Sequence, residues 1–146
     1  MLEAANRLTF LTTFIPPKLR NIKEQEFNYK AAPGKWSKKQ ILGHLIDSAT
    51  NNHQRFIRIQ FEDKPIVYYE QDEWNNAAHY NEFDSRQLID FWKDYNRLLI
   101  ELIKKIPEDK LSNLGLLKDK SSAPLFWYIT DYVDHLEHHL QQLVKY

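Results

Sequence analysis

The sequence predicts an all-α fold, a bundle of four helices, from three observations. Apolar residues recur at spacings of three and four in four separate stretches, which is the period of an amphipathic helix. Helix-start signals precede two of these stretches, and prolines follow two of them. The chain has 146 residues, which is enough for one sizeable hydrophobic core. We therefore expect one domain over residues 1–146, in which the four apolar faces meet.

The first predicted helix covers about residues 2–14, with Leu8, Leu11 and Ile15 along one side. The proline pair at 16–17 should stop this helix, because proline has no N–H to donate and its ring clashes with the preceding turn. A loop with a Pro-Gly turn follows.

The second predicted helix begins at Ser37 and runs to about residue 61. The stretch "SKKQ" is a capping box, in which Ser37 accepts from a backbone N–H of the first turn and Gln40 reaches back to the cap. The positions that follow along the buried side are Ile41, Leu45, Ala49, Asn52, Phe56 and Ile59.

Residues 62–83 are aromatic and polar without helical periodicity. We expect a long link here, between the second and third helices, and links of this length in compact domains are often functional. Its large aromatic residues either form a wall for a substrate or seal one end of the bundle. These residues are Tyr68, Tyr69, Trp74 and Tyr80.

The third predicted helix begins at Asp84, with Gln87 three positions further along the chain, and Pro107 ends it. Its predicted buried stripe is Leu88, Phe91, Tyr95, Leu98, Leu102 and Ile106. After a second loop, the fourth predicted helix begins near Ser122, tolerates Pro124 in its first turn and runs to the C-terminus. Its apolar line is Leu125, Ile129, Tyr132, Leu136, Leu140 and Leu143.

Composition argues against several classes of function. Lys plus Arg (20) equals Asp plus Glu (20), and the basic residues are scattered, so nucleic acid is not an expected partner. The absence of cysteine excludes disulfides, thiolate ligands and a cysteine nucleophile. No apolar run approaches the roughly 20 residues that span a bilayer, and the N-terminal residues lack the basic start and apolar core of a signal peptide. We expect a cytoplasmic protein without a membrane partner.

Three of the six histidines lie in "DYVDHLEHHLQQL", residues 131–143. Each helical residue advances about 100° around the axis. If Leu136 points to the core, His139 lies about 60° and His135 about 100° to one side of it. His138 lies about 160° away and points to water. His135 and His139 therefore form an i, i+4 pair at the edge of the buried stripe.

His44 occupies a similar edge on the second predicted helix, about 100° from the direction of Leu45. If the two edges face each other, His44 meets His135 and His139, and three imidazoles are a common ligand set for a divalent transition metal. Asp131 either orients the ring of His135 or acts as a fourth ligand. The simpler alternative is that the pair arises by chance. The other histidines are expected at the surface or in loops: His53, His79 and His138.

The stretch "GKWSKKQILGHLIDSATNNHQRF", followed later by "DYVDHLEHHLQQL", resembles the DinB/YfiT-like superfamily. The W-S helix start, the H-L-x-D segment and the terminal H-x-x-x-H carry this resemblance, which covers nearly the whole chain. It implies a four-helix bundle, often in an up-down-down-up order, with a long link between the second and third helices. It also implies a metal site for nickel, zinc or a similar divalent ion, with His44, His135 and His139 as ligands. Asp47 and Arg55 match common family positions, and spacing assigns them no role.

The resemblance implies two activities. One is metal-dependent transfer of a low-molecular-weight thiol, and the other is metal-dependent hydrolysis of a small-molecule substrate, with no catalytic residue assigned. The alternative is a non-catalytic, stress-related bundle that binds a metal or a small ligand, which charge neutrality and the lack of an obvious general base favour. Members of this family often dimerise, and we therefore expect a homodimer.

Overall fold

Four long helices form a bundle in the computed structural model, which describes residues 1–146. The long helices are α1 (Leu2–Arg20), α3 (Lys38–Arg58), α5 (Ser85–Lys105) and α6 (Leu125–Leu143). The connections contain two short helices, α2 (Glu24–Asn28) and α4 (Gln71–Ala78), and an antiparallel hairpin of β1 (Leu114–Leu116) and β2 (Ser122–Pro124). The predicted four-helix bundle is confirmed. None of the helices combines the length and apolar character that crossing a bilayer requires.

Contacts near the helix ends define the direction of α5 relative to its neighbours. Arg20 at the end of α1 pairs with Asp90 near the start of α5, so α1 and α5 run antiparallel. The ammonium group of Lys39, near the start of α3, donates to the carbonyl of Phe83, just before α5, at 2.9 Å. The N-terminal ends of α3 and α5 therefore lie together, and these two helices run parallel.

The direction of α6 completes an up-down-down-up order. His44 near the start of α3 faces His139 near the end of α6, so α3 and α6 run antiparallel. Helices α3 and α5 are parallel, and no other long helix lies between them in the sequence. The chain must therefore travel back along α3, whose 21 residues span about 32 Å. The segment from 59 to 84 makes this return and brings its own side chains alongside α3.

Helix α1 extends further than its prolines predict. The expected end near residue 14 is wrong, because α1 continues through Pro16 and Pro17 to Arg20. Each proline removes one backbone hydrogen bond, at a cost of about 3 kcal/mol in a helix interior. Ile15 and Leu19 are fully buried, and burial of each such side chain contributes about 1.5–3 kcal/mol. The packing of this last turn therefore offsets the loss of hydrogen bonds.

Helix α5 is rotated relative to its predicted orientation. Phe91 and Leu98 were predicted to face the core, but each is 51% exposed. Of the predicted stripe, Leu88 and Ile106 are buried. The other buried residues of α5 are Ser85, Ile89, Trp92, Asn96, Leu99, Ile100 and Ile103. The sequence of α5 carries two apolar stripes, and burial of the larger Trp92 removes more apolar surface from water than burial of Phe91 would. The predicted apolar line of α6 is buried throughout.

The two long connections contain more regular structure than the sequence predicts. Residues 62–83 include α4 and a 3-10 turn at Tyr80–Glu82. The second connection carries the β-hairpin, so Ser122 lies in β2 and α6 begins only at Leu125, with Pro124 as its N-cap. Strand β1 also bridges the first connection, since the backbone N–H of Leu116 donates to the carbonyl of Pro65 at 3.0 Å.

Buried polar contacts hold the first connection against α3. The Asn75 amide donates to the carbonyl of Gln40 at 2.7 Å. The hydroxyl of Tyr80 donates to the carboxylate of Asp47 at 2.5 Å, and its ring lies against the backbone of Gly43. Because these partners are buried, they fix the position of the connection along the flank of α3 where His44 lies.

Candidate metal centre

Three histidine rings converge at the seam between α3 and α6. The Nε2 atoms of His44 and His135 lie 3.2 Å apart, and the ring centroids of His44 and His139 are separated by 4.8 Å. One nitrogen from each of the three rings falls within 4.8 Å of the other two. The structure thus brings together the three residues that the angular argument selected, and their role as metal ligands stays a prediction.

Burial keeps these imidazoles neutral at physiological pH. Desolvation lowers the pKa of His44 to about 3, with further contributions from His135 and His139. Burial likewise lowers the pKa of His139 to about 4 and lowers the pKa of His135. A neutral imidazole has a free lone pair, which is the form that coordinates a metal ion.

The separation of the His44 and His135 nitrogens fits one divalent ion. Two imidazole nitrogens that each lie about 2.1 Å from one ion and 3.2 Å from each other subtend about 100° at that ion, between octahedral and tetrahedral values. The Nδ1 atoms of His44 and His139 are buried without a hydrogen-bond partner. No carbonyl or carboxylate of the kind that usually orients a ligating histidine therefore bonds to these Nδ1 atoms.

The lowered pKa values predict an unusual pH dependence of metal affinity. Because His44 and His139 stay neutral down to about pH 4, we expect affinity to change little between about pH 7.5 and about pH 5.5. With three exposed imidazoles of pKa near 6.5, the metal affinity would instead fall about tenfold per imidazole for every pH unit below that value. Calorimetric titration of one divalent metal at several pH values measures this. A steep fall beginning near pH 6.5 would show that the rings are solvated.

Neither nearby carboxylate joins the three rings. Asp131 lies on the same side of α6 but makes no hydrogen bond to His135, and it is not part of the metal-competent group. Asp47 turns away to the hydroxyl of Tyr80, and burial raises its pKa to about 6, which the Tyr80 hydrogen bond opposes. Neither of the roles considered for Asp131, orienting group or fourth ligand, is therefore realised in this arrangement.

The other histidines lie apart from the site. His138 is exposed on α6, and His79 caps α4 in a left-handed conformation with an exposed side chain. The expectation of a surface position is wrong for His53, which is half-buried and lies 2.8 Å from the hydroxyl oxygen of Tyr95. Tyr95 of α5 packs against the ring of His53 and partly covers it.

A cavity of about 210 Å³ adjoins the rings of His44 and His135. Helix α3 supplies Ser48, Asn52 and Arg55 to its walls, and the connection after α3 supplies Tyr68 and Tyr69. Asp131 closes the side formed by α6. The site therefore has room for a small organic molecule beside the three imidazoles.

Aromatic rings enclose His44 on the sides away from α6. Trp36 packs against it with ring centroids 5.0 Å apart, and Tyr69 lies at 6.5 Å, supported by Trp74 at 5.0 Å. Of the aromatic residues of the link, Tyr68 and Tyr69 line the cavity, Trp74 supports Tyr69 from the exposed side and Tyr80 is buried against α3; a substrate wall and a seal at one end of the bundle both stay predictions. Trp36 was missed, because it precedes the helix cap and lies eight residues before His44 in the sequence.

Comparisons with known proteins agree with this architecture. A family model described as the DinB superfamily matches residues 16–143. The chain is similar in fold to YfiT from Bacillus subtilis, described as a probable metal-dependent hydrolase with an unusual four-helix bundle topology. That similarity has a TM-score of 0.81 at 19% identity and covers 95% of this chain and 83% of that one. No curated protein matches the chain.

A second similarity is to the mycothiol-dependent maleylpyruvate isomerase. The TM-score is 0.78 at 14% identity, with 97% of this chain and 59% of that chain covered. A mutant of the same isomerase gives a TM-score of 0.79 at 14% identity, covering 99% of this chain and 60% of that chain. The chain thus spans about three fifths of the isomerase, and at these identities the likeness concerns the fold alone.

Proposed function

The chain belongs to the DinB superfamily, and from this premise we propose that it is a divalent-metal-dependent enzyme that transfers a small thiol onto an electrophile. One observation carries the proposal: three neutral imidazoles, that of His44 buried and those of His135 and His139 half-buried, converge next to a cavity of about 210 Å³. A purely structural histidine cluster would need no cavity beside it. The protein ligands His44, His135 and His139 leave coordination positions open for a substrate atom.

A bound divalent ion supplies Lewis acidity, which lowers the pKa of a coordinating thiol or water. The residues of the chain provide the rest. His44, His135 and His139 hold the ion with neutral nitrogens, and Trp36 and Tyr69 exclude water from one side of the rings. The cavity beside them holds the thiol and positions it toward an electrophile.

The carboxylates of the site favour a thiol over water as the nucleophile. A hydrolase of this kind usually needs a general base next to the attacking water. Asp47 is bonded to Tyr80, and Asp131 lines the cavity without a protein group that orients its carboxylate, so neither is held in place for that work. A thiol has an ordinary pKa near 8.5, far below that of water, so a thiol held at this site would need no such base to lose its proton if an ion bound by His44, His135 and His139 supplied Lewis acidity.

The reaction that we propose is balanced as follows. The thiol gives up its proton to solvent, and its sulfur forms a bond to an electrophilic carbon. The bond between that carbon and its leaving group breaks, and the leaving group takes the bonding electrons and a proton. Because solvent accepts and returns the proton, the chain itself needs to supply no titrating residue.

A comparison of two assays tests the proposal. We expect metal-loaded protein to conjugate a small thiol to a chromogenic aryl halide, and we expect this activity to disappear with a chelator and to return with added metal. His139→Ala should lack the activity and His138→Ala should keep it, because only the first removes a predicted ligand. If the loaded protein conjugates no thiol and also hydrolyses no activated ester or amide, the enzyme proposal is wrong and a metal-binding bundle remains.

Hydrolysis is the second candidate, because the fold is similar to that of YfiT, described as a probable metal-dependent hydrolase. It predicts the opposite pattern in the same assays: chelator-sensitive cleavage of activated esters or amides, and no thiol conjugation. A rate that depends on thiol concentration would exclude it as the main activity.

A further inference from the structure

The cavity beside the histidines contains a cation that forms no salt bridge with the protein, although the carboxylate of Asp131 attracts it at longer range. Arg55 lines the cavity from α3 and is half-buried. Its hydrogen bonds go only to neutral oxygens, those of the Val67 carbonyl and the Asn52 amide. Burial lowers the pKa of Arg55, which shows that its charge is poorly solvated. A desolvated charge without a direct ion pair costs free energy, so an anionic ligand group in contact with Arg55 would be stabilised here.

The unused donors of Arg55 match a carboxylate. A guanidinium has five N–H groups. Nε and Nη2 donate to the Val67 carbonyl at 3.2 and 2.8 Å, and Nη1 donates to the Asn52 amide oxygen at 3.2 Å. One N–H on Nη1 and one on Nη2 remain, and this pair is the fork that binds both oxygens of a carboxylate. The existing bonds also hold the guanidinium in place, which reduces the entropy lost on binding.

Asp131 supplies the opposite charge on the facing wall. It lies on α6 next to the same cavity, and it forms neither a salt bridge nor a hydrogen bond with any group of the protein. Its carboxylate is therefore free to accept from a cationic ligand group. The cavity thus offers one cation, one anion and three neutral imidazoles.

We propose that this cavity binds a small zwitterionic thiol of the amino-acid type. Its carboxylate pairs with Arg55, its ammonium group faces Asp131, and its sulfur points to the three imidazoles. The volume of about 210 Å³ lies below the roughly 300–1,000 Å³ of sites for drug-sized ligands, which suits a molecule of this size. This inference rests on the proposed thiol transfer and specifies its thiol substrate.

Three thiol probes separate the two charge contacts. L-cysteine carries both charges, cysteamine lacks the carboxylate, and 3-mercaptopropionate lacks the ammonium group. Each is titrated into cobalt-loaded protein, and the absorption of the cobalt–thiolate bond reports binding. Metal content is measured after each titration, because cysteine also chelates free metal. We expect the wild-type protein to bind L-cysteine most tightly.

Each probe also has an intrinsic affinity for the metal. Comparing the same probe on the wild-type protein and on two variants removes this contribution. Arg55→Gln should weaken L-cysteine and 3-mercaptopropionate by about tenfold to a hundredfold, because a charge-assisted bidentate contact is lost, and should leave cysteamine nearly unchanged. Asp131→Asn should weaken L-cysteine and cysteamine by about two- to fivefold, because this pair is exposed, and should leave 3-mercaptopropionate unchanged. Since Arg55 also holds Val67, cysteamine binding shows whether the cavity of the variant is intact.

The outcomes distinguish this inference from the proposed function. If Arg55→Gln weakens all three probes equally, or if the wild-type protein binds all three equally, the zwitterion inference is overturned while thiol binding stands. If none of the probes changes the spectrum of cobalt-loaded wild-type protein, the proposed thiol transfer itself fails. The pattern of losses described for the two variants supports both.

Discussion

Replacement of His135 or His139 by alanine is expected to lower metal affinity by more than about a hundredfold, because each substitution removes one of the three predicted protein ligands. His44→Ala should have the same effect from a distant part of the chain. His138→Ala should leave affinity nearly unchanged, because its side chain is exposed on the outer face of α6. Isothermal titration of one divalent metal into each variant measures the difference.

Thermal stability provides an independent readout of the same four variants. A metal present at about a thousand times its Kd stabilises the folded state by about 4 kcal/mol, which corresponds to about 10 °C in Tm for a domain of this size. The ligand variants should lose this metal-induced rise, and His138→Ala should keep it. The comparison uses each variant with and without metal, because His44 is fully buried and its truncation also leaves a hole in the packing.

The His138→Ala variant is the control that tests the rotation of α6. His138 and His139 are adjacent, and their ring centroids lie only 5.4 Å apart, so a nonspecific effect of mutating this turn would appear in both. Loss of metal binding in His138→Ala, with binding retained in His135→Ala, would mean that α6 presents the wrong face to α3.

The two imidazole-bearing edges could be predicted because α3 and α6 each carry a single apolar stripe. With one stripe, the core direction is unambiguous, and the angles of His44, His135 and His139 relative to it follow from helix geometry. Helix α5 carries a second stripe through Phe91 and Leu98, and periodicity alone cannot choose between two stripes. The stripe that is buried is the one that contains Trp92, and predicting the burial of Trp92 requires the shape of the neighbouring helices.

The walls of the cavity could not be predicted, because they depend on the return path between two parallel helices. Tyr69 reaches His44 only because the connection runs back along α3, and Arg55 meets the same segment through the carbonyl of Val67. These contacts join residues on different elements and have no local periodicity. One signal was present in the sequence: Gly43 interrupts the middle of a strong helix, and a glycine in that position often marks a close approach by another part of the chain.

Gly43→Ala is expected to destabilise the protein by about 1–5 kcal/mol, although alanine is the better helix former. The substitution gains about 0.5–1 kcal/mol in the interior of a helix. Against this, a Cβ at Gly43 would lie 2.1 Å from the ring of Tyr80, whereas carbon atoms in contact are separated by about 3.5–4.0 Å. Overpacking of this kind costs about 1–3 kcal/mol, and displacement of the ring also breaks its buried hydrogen bond to Asp47, at about 1–3 kcal/mol.

A double-mutant cycle with Tyr80→Ala separates the effect of the contact with the Tyr80 ring from the effect of the higher helix propensity of alanine. When the ring is absent, the new methyl group meets no side chain of residue 80, so Gly43→Ala in the Tyr80→Ala background should be neutral or stabilising by up to about 1 kcal/mol. Urea denaturation of the four proteins gives the four free energies of unfolding. We expect Gly43→Ala to lower the free energy of unfolding in the wild-type background and not to lower it in the Tyr80→Ala background, since only the ring of Tyr80 opposes the methyl group. If Gly43→Ala stabilises the wild-type background as well, Tyr80 does not pack on α3, and the connection that carries Tyr69 is not held against the histidine site in this way.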